Sequence, residues 1–228
     1  VTSPLHVLPT GIPLDRFARG NGPAFRARHG VPVGQPVALF VGRVAHEKNI
    51  GFLLEALVHA RRLRPEVLLV VAGEGPAMAD LQAQVRALGL PGAVQFIGYL
   101  DRGSELPDCY AAADVFVFAS RTETQGLVLL EAMAAGLPVI ALAEMGTIDI
   151  LAPGRGAFCP PAEAQALGEM LGHFLNHSDA WRHLAEEAPA YAGEWSDLAL
   201  AGKMAELYRQ LVSKPVHQDA ADFNLLSL

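Results

Sequence analysis

Short apolar runs alternate with segments of helical period along most of this sequence, and that alternation narrows the fold more than any other feature. VALFVGRV at residues 37–44 is a continuous apolar run of the kind buried on both faces of a parallel sheet. EVLLVVA at 66–72, VQFIG at 94–98, DVFVFA at 114–119 and the run at 138–143 read as further strands. Between them lie helical stretches at 50–58, 78–88, 106–113 and 126–135, the first with Asn49 as its N-cap. Strands and helices in strict alternation predict a doubly wound parallel sheet with helices on both faces and right-handed crossovers. A short strand at 5–8 is also expected. Helices follow at 162–175, 180–188 and 194–212, the last with Leu198, Met204, Leu207, Tyr208 and Leu211 as its apolar face. One domain over residues 1–212 and a tail at 213–228 result.

With 228 residues, 51% of them hydrophobic, the chain can bury a large core. Its net charge of −7 argues against nucleic acid or an anionic membrane as the dominant partner. The run Arg61, Arg62 and Arg64 reads as the solvated end of a helix. Cys109 and Cys159 follow no metal or redox spacing and are expected as reduced thiols of a cytoplasmic protein. No D-x-D motif, membrane-length apolar run or secretory signal pattern is present, and the start without Met leads us to expect a missing N-terminal portion.

In an open parallel sheet, ligands bind beyond the carboxyl ends of the strands where the strand order reverses. The loop after the 37–41 run holds Gly42, Arg43 and Lys48: a glycine for close backbone approach, a planar fork of donors and a mobile point charge. They suit a phosphate or pyrophosphate, although an exposed pair is the plainer reading of Arg43 and Lys48. After the 114–119 run comes SRTETQGLVLLEAMAAGLPVI at 120–140, in which Glu123 precedes a helix start at Gln125, Gly126 and Leu127. Amides at a helix start form a second anion site. Glu131 lies inside the apolar helix with no basic neighbour there, and either faces solvent or needs a partner to satisfy its charge. Gly73-x-Gly75 reads as a turn, and His46 as a solvated loop residue.

FVGRVAHEKN, LLVVAGEGP, VQFIGYL and YAAADVFVFASRTETQGLVLLEAMAAGLPVIA, in that order, resemble the donor-binding C-terminal domain of retaining GT-B glycosyltransferases of the E-x7-E group, the glycosyl transferases group 1. The resemblance runs from about residue 9 to residue 211. It implies a Rossmann-like half of a GT-B fold, with Arg43 and Lys48 on the diphosphate and Glu131 on the ribose hydroxyls. Glu123 and the amides near Gln125, Gly126 and Leu127 would engage the sugar and distal phosphate, and backbone around Ile97, Gly98 and Tyr99 the base.

The implied reaction is transfer of a hexose, preferably from a UDP-sugar, to a lipid, glycan or small-molecule acceptor, with no cofactor and no metal. The implied partners are a nucleotide sugar and a missing N-terminal acceptor domain without which the chain would be inactive. Nucleic acid is not among them, and peripheral membrane association of a full-length enzyme stays open. A non-catalytic nucleotide-sugar-binding module and a GT-B epimerase or phosphorylase are the alternatives. Two stretches depart from the family's pattern: Met145 and Asp149 stand where a glycine pair and a Glu are usual, and Thr10 stands in the place of Asn.

Overall fold

Runs with no polar face can be satisfied only inside a sheet covered on both sides, and the apolar runs of this chain are so placed. The computed structural model describes residues 5–213. Within them β1 (Val37–Val41), β2 (Leu68–Ala72), β3 (Val94–Gly98), β4 (Val115–Phe118), β5 (Val139–Ala141) and β6 (Ala157–Phe158) form one sheet in the order β3-β2-β1-β4-β5-β6. All five neighbouring pairs are parallel. Every residue of β1, β2, β4 and β5 is buried.

The helices are α1 (Gly22–Arg28), α2 (Ile50–Leu63), α3 (Met78–Ala87), α4 (Glu105–Ala111), α5 (Leu127–Ala134), α6 (Ile148–Leu151), α7 (Ala164–Asn176), α8 (Arg182–Gly193) and α9 (Asp197–Ser213). Two packed groups cover the sheet. In one, α2 meets α3 and α7; in the other, α5 meets α8, α4 and α5 both meet a short 3-10 turn at Leu14–Arg19, and α1 packs on α4. The expected doubly wound, Rossmann-like sheet is therefore present. Its order reverses between β1 and β4, so a crevice opens above that pair. Both loops singled out in the sequence leave the sheet there.

Several local expectations fail for identifiable reasons. Residues 5–8 form no strand: Leu5 and Val7 are 90% and 83% exposed, and the segment lies along α9 with no strand edge to pair with. Asn49 precedes α2 but adopts a left-handed φ of 54° and makes no cap; its Nδ2 donates instead to the Ala119 carbonyl at 3.2 Å. That bond ties the β1 loop to the end of β4. The two-residue β6 went unread because so short a run carries no periodicity. Leu198, Met204, Tyr208 and Leu211 are exposed, and Leu200 is the buried residue of α9. The bridge between Ile12 and Ser196 sets the entry of that helix, and the described residues pack against a different side of it. Trp195 packs edge-on against Tyr191 of α8. Of the expected tail, residues 214–228 lie outside the described residues. Among the described residues no helix is long and apolar enough to cross a membrane.

The two thiols differ sharply. Burial pushes both thiols above the usual range, Cys109 on α4 far above it, but Cys109 is 1% exposed and closed to a reagent whereas Cys159 is exposed. Native protein is therefore expected to release one equivalent of thiolate colour from a disulfide reagent and a second only on unfolding. Two fast equivalents in the native state would contradict this packing.

Candidate functional site

At the end of β1 the chain turns away from the sheet with Gly42 donating to the Ala72 carbonyl at 3.0 Å. The β2 turn closes against it: a Cβ on Gly73 would lie 2.0 Å from the Gly42 carbonyl oxygen, and one on Gly75 2.2 Å from that of Val44. Gly73-x-Gly75 is thus a turn that makes room for the β1 loop, as its sequence suggested. Arg43 projects into solvent with Glu47 3.9 Å away. Lys48, mostly buried, binds Glu123 directly. His46 points elsewhere, to Asp80 at 3.3 Å.

Across the crevice, Glu123, Thr124 and Gln125 lead to Gly126, whose left-handed φ of 70° turns the chain into α5. The loop is held from behind. The Gly146 amide donates to the Glu123 carbonyl at 3.0 Å, and Gln125 Nε2 donates to Thr10 Oγ1 at 3.2 Å, so Thr10 works here through its hydroxyl. In residues 144–147 the Thr147 hydroxyl accepts from the Glu144 amide at 2.9 Å and the Thr147 amide donates to the Glu144 carbonyl at 3.2 Å, with Met145 at a left-handed φ of 52°. They support the loop from outside the cleft.

Glu131 is 1% exposed on the second turn of α5. It finds its partners in protein: Arg102 donates to Oε1, and the Tyr110 hydroxyl donates to Oε2 at 2.9 Å. Burial raises its pKa above the usual carboxylate value, against the opposing pull of Arg102, Tyr110 and Arg16. Burial, with Glu131 beside it, likewise pushes the Tyr110 hydroxyl well up.

These groups line one open cleft of about 660 Å³ in which Arg16, Arg43, Lys48 and Arg102 face Glu47, Glu123 and Glu131. Gly42, Gln125, Gly126 and Leu127 complete its wall. A neighbouring compartment of about 300 Å³ shares Val41, Gly42, Arg43 and Arg102 with the cleft and is bordered by Glu74 and Tyr99. Tyr99 thus reaches a ligand-sized space. Ile97 lies within β3 and lines neither compartment, and the Gly98 carbonyl already accepts from the Gly73 amide at 2.7 Å. Among the described residues no group of three or more His, Cys, Asp or Glu is placed to hold a metal ion.

The sequence pattern that defines glycosyl transferases group 1 matches residues 22–191, three quarters of the chain. The chain belongs to that family. Among its relatives, a D-inositol 3-phosphate glycosyltransferase of Corynebacterium urealyticum is 32% identical over 220 residues, 92% of this chain and 52% of the relative. An alpha-monoglucosyldiacylglycerol synthase of Streptococcus pneumoniae is 41% identical over 140 residues, 59% of this chain and 32% of the relative. The chain thus spans between a third and about half of the curated relatives it matches. Anabaena Alr3699/HepE, solved in complex with UDP, shares the fold at a TM-score of 0.78 and 24% identity over 90% of this chain and 57% of that one.

In this member of the group 1 family four of the residues found by sequence reasoning, Arg43, Lys48, Glu123 and Glu131, gather around one cleft. Three others were missed. Arg16 sits in a turn-rich stretch without periodicity. Arg102 occupies a turn after β3, and Tyr110 reads as one more apolar position of α4. The one signal pointing to them was the unanswered charge of Glu131.

Proposed function

We propose that this chain is the nucleotide-sugar-binding half of a retaining glycosyltransferase. It takes a UDP-hexose and delivers the sugar to a lipid, glycan or small-molecule hydroxyl held by an acceptor domain outside these residues. The observation that carries the reading is the convergence of Arg43, Lys48, the start of α5 and Glu131 on one cleft at the strand-order switch.

In this mechanism the bond from the anomeric carbon to the β-phosphate oxygen breaks and its electron pair leaves with the diphosphate. Arg43, Lys48 and the first amides of α5 stabilise that developing charge. The acceptor oxygen attacks the oxocarbenium-like carbon from the same face, and its proton passes to the departing phosphate. No protein nucleophile is required, so positioning and leaving-group electrostatics supply the rate. Lys48 is bound to Glu123 in this structure, and the incoming diphosphate would draw it away and leave Glu123 for the sugar hydroxyls. Glu131 would accept from the ribose. UDP is the ligand of the fold relative from Anabaena, and a diacylglycerol acceptor, as in the name of the Streptococcus relative, would bring the enzyme to a membrane surface.

A panel of UDP, GDP, ADP and their sugars in a chelating buffer tests this reading. UDP at about 100 times its dissociation constant adds roughly 2.7 kcal/mol, which for a domain of this size raises Tm by about 5–10 °C. A folded sample that responds to none of them rules the donor site out.

A further inference from the structure

We infer that Arg102 and Tyr110 are positioning residues for the donor's ribose: each takes lone-pair capacity on one oxygen of Glu131, and together they keep that carboxylate an aimed anion for a cis-diol. The inference rests on the reading of Glu131 as the ribose acceptor. It adds two side chains to which the sequence assigned no role.

A carboxylate offers about four acceptor positions, two on each oxygen. In this structure Arg102 uses Oε1 and the Tyr110 hydroxyl uses Oε2, so each oxygen keeps capacity for one hydroxyl of a vicinal pair. Both donors are themselves held. Tyr110 is fully buried, with ring centroids 5.7 Å from Phe17 and 6.0 Å from Phe116. Arg102 rides on a turn in which Asp101 Oδ1 accepts from the Gly103 amide at 3.0 Å, the Ser104 amide at 3.0 Å and the Ser104 hydroxyl at 2.8 Å. Its side chain is half exposed and borders both compartments, where the middle of a nucleotide would lie.

The charges facing Glu131 come from several elements. Arg16 approaches from the 3-10 turn and Arg102 from the turn before α4, while Tyr110 is the titratable group of α4 itself. Arg43 and Lys48 share the cleft but are occupied by Glu47 and Glu123. Arg102 is therefore the principal cation opposing the effect of burial. Without it Glu131 takes up a proton at higher pH and becomes a poorer acceptor for hydroxyl donors.

The test measures UDP and 2′,3′-dideoxy-UDP binding by calorimetry between about pH 5.5 and 9 for the parent, R102Q, R102K and Y110F. We expect the pH at which UDP binding is half lost to rise by about one unit or more in R102Q, with affinity down about tenfold near pH 6 and recovered near pH 9. R102K restores the parent profile. Y110F shifts it in the same direction by less, and dideoxy-UDP binding is the same in R102Q as in the parent.

A loss in R102Q that is equal at every pH and shared by dideoxy-UDP would make Arg102 a phosphate ligand and overturn the inference. Tighter UDP binding in R102Q at every pH would make it a plug and overturn the inference equally. A parent that binds UDP beside an R102Q of identical profile defeats this inference alone, whereas a parent that binds no UDP defeats the donor reading and this one with it.

Discussion

Replacing Glu131 by Gln is expected to weaken UDP binding about 30- to 140-fold, because hydrogen bonds from ribose to a charged acceptor are worth roughly 2–3 kcal/mol. The same substitution should not destabilise the free protein at neutral pH. Burial raises the folded-state pKa of Glu131 above the ordinary 4.5, so between the two values the folded chain keeps a proton that the unfolded chain gives up. Stability therefore falls as pH rises through that window, and the deficit persists above it. The glutamine variant carries no such deficit. Its amide can accept from Arg102 and donate to the Tyr110 oxygen, so each partner keeps one hydrogen bond while the Tyr110 proton loses its acceptor. The measurements are UDP calorimetry and Tm of the two proteins across pH. A variant that melts well below the parent at pH 8, with UDP affinity per folded molecule unchanged, would make Glu131 a structural residue.

Gly146→Ala is expected to damage fold and site together. A Cβ there would lie 1.9 Å from the Thr124 carbonyl oxygen, 2.2 Å from its carbon and 2.8 Å from the Gln125 nitrogen. All three are backbone atoms, so no rotamer change relieves the clash. Either the 144–147 turn moves out or the 123–126 loop moves in, and both break the Gly146 bond to the Glu123 carbonyl. Overpacking of this kind costs about 1–3 kcal/mol, or roughly 2–10 °C in Tm for a domain of this size. Misplacing the start of α5 should weaken diphosphate binding about tenfold or more. Gly202→Ala, with open space around its Cβ position on α9, is the control and should leave both quantities unchanged or slightly improved. Equal Tm and affinity for Gly146→Ala and the parent would show that the loop does not depend on this close approach.

Much of the architecture was legible because each strand carries its own signal. The runs at 94–98 and 114–119 match β3 and β4 to within a residue, and the helix read at 126–135 is α5 with one residue trimmed at each end. Burial on both faces writes a continuous apolar run, and that signal is local. The N-cap role of Asn49 failed for the opposite reason. Residue type suggested a bond to its own helix, but a left-handed backbone and a carbonyl 70 positions away at Ala119 redirected the side chain. The apolar face of α9 is equally real in pattern, yet a pattern states which residues are apolar and not what covers them.

By itself the sequence determined the alternating parallel sheet, the two loops that follow its strands, and the membership of Arg43, Lys48, Glu123 and Glu131 in one ordered motif set. The sheet and its loops follow from periodicity and spacing, which are readable without a partner, whereas the motif set was recognised by its resemblance to a known family. Only the tertiary structure decided what answers the buried charge of Glu131. Arg102 and Tyr110 stand 29 and 21 positions before it, on a turn and on another helix, and only the crossover that brings α4 beside α5 lets them meet it. The pairing of Lys48 with Glu123 across 75 positions is of the same kind. A buried charge requires a partner on energetic grounds, but packing alone selects which side chain provides it.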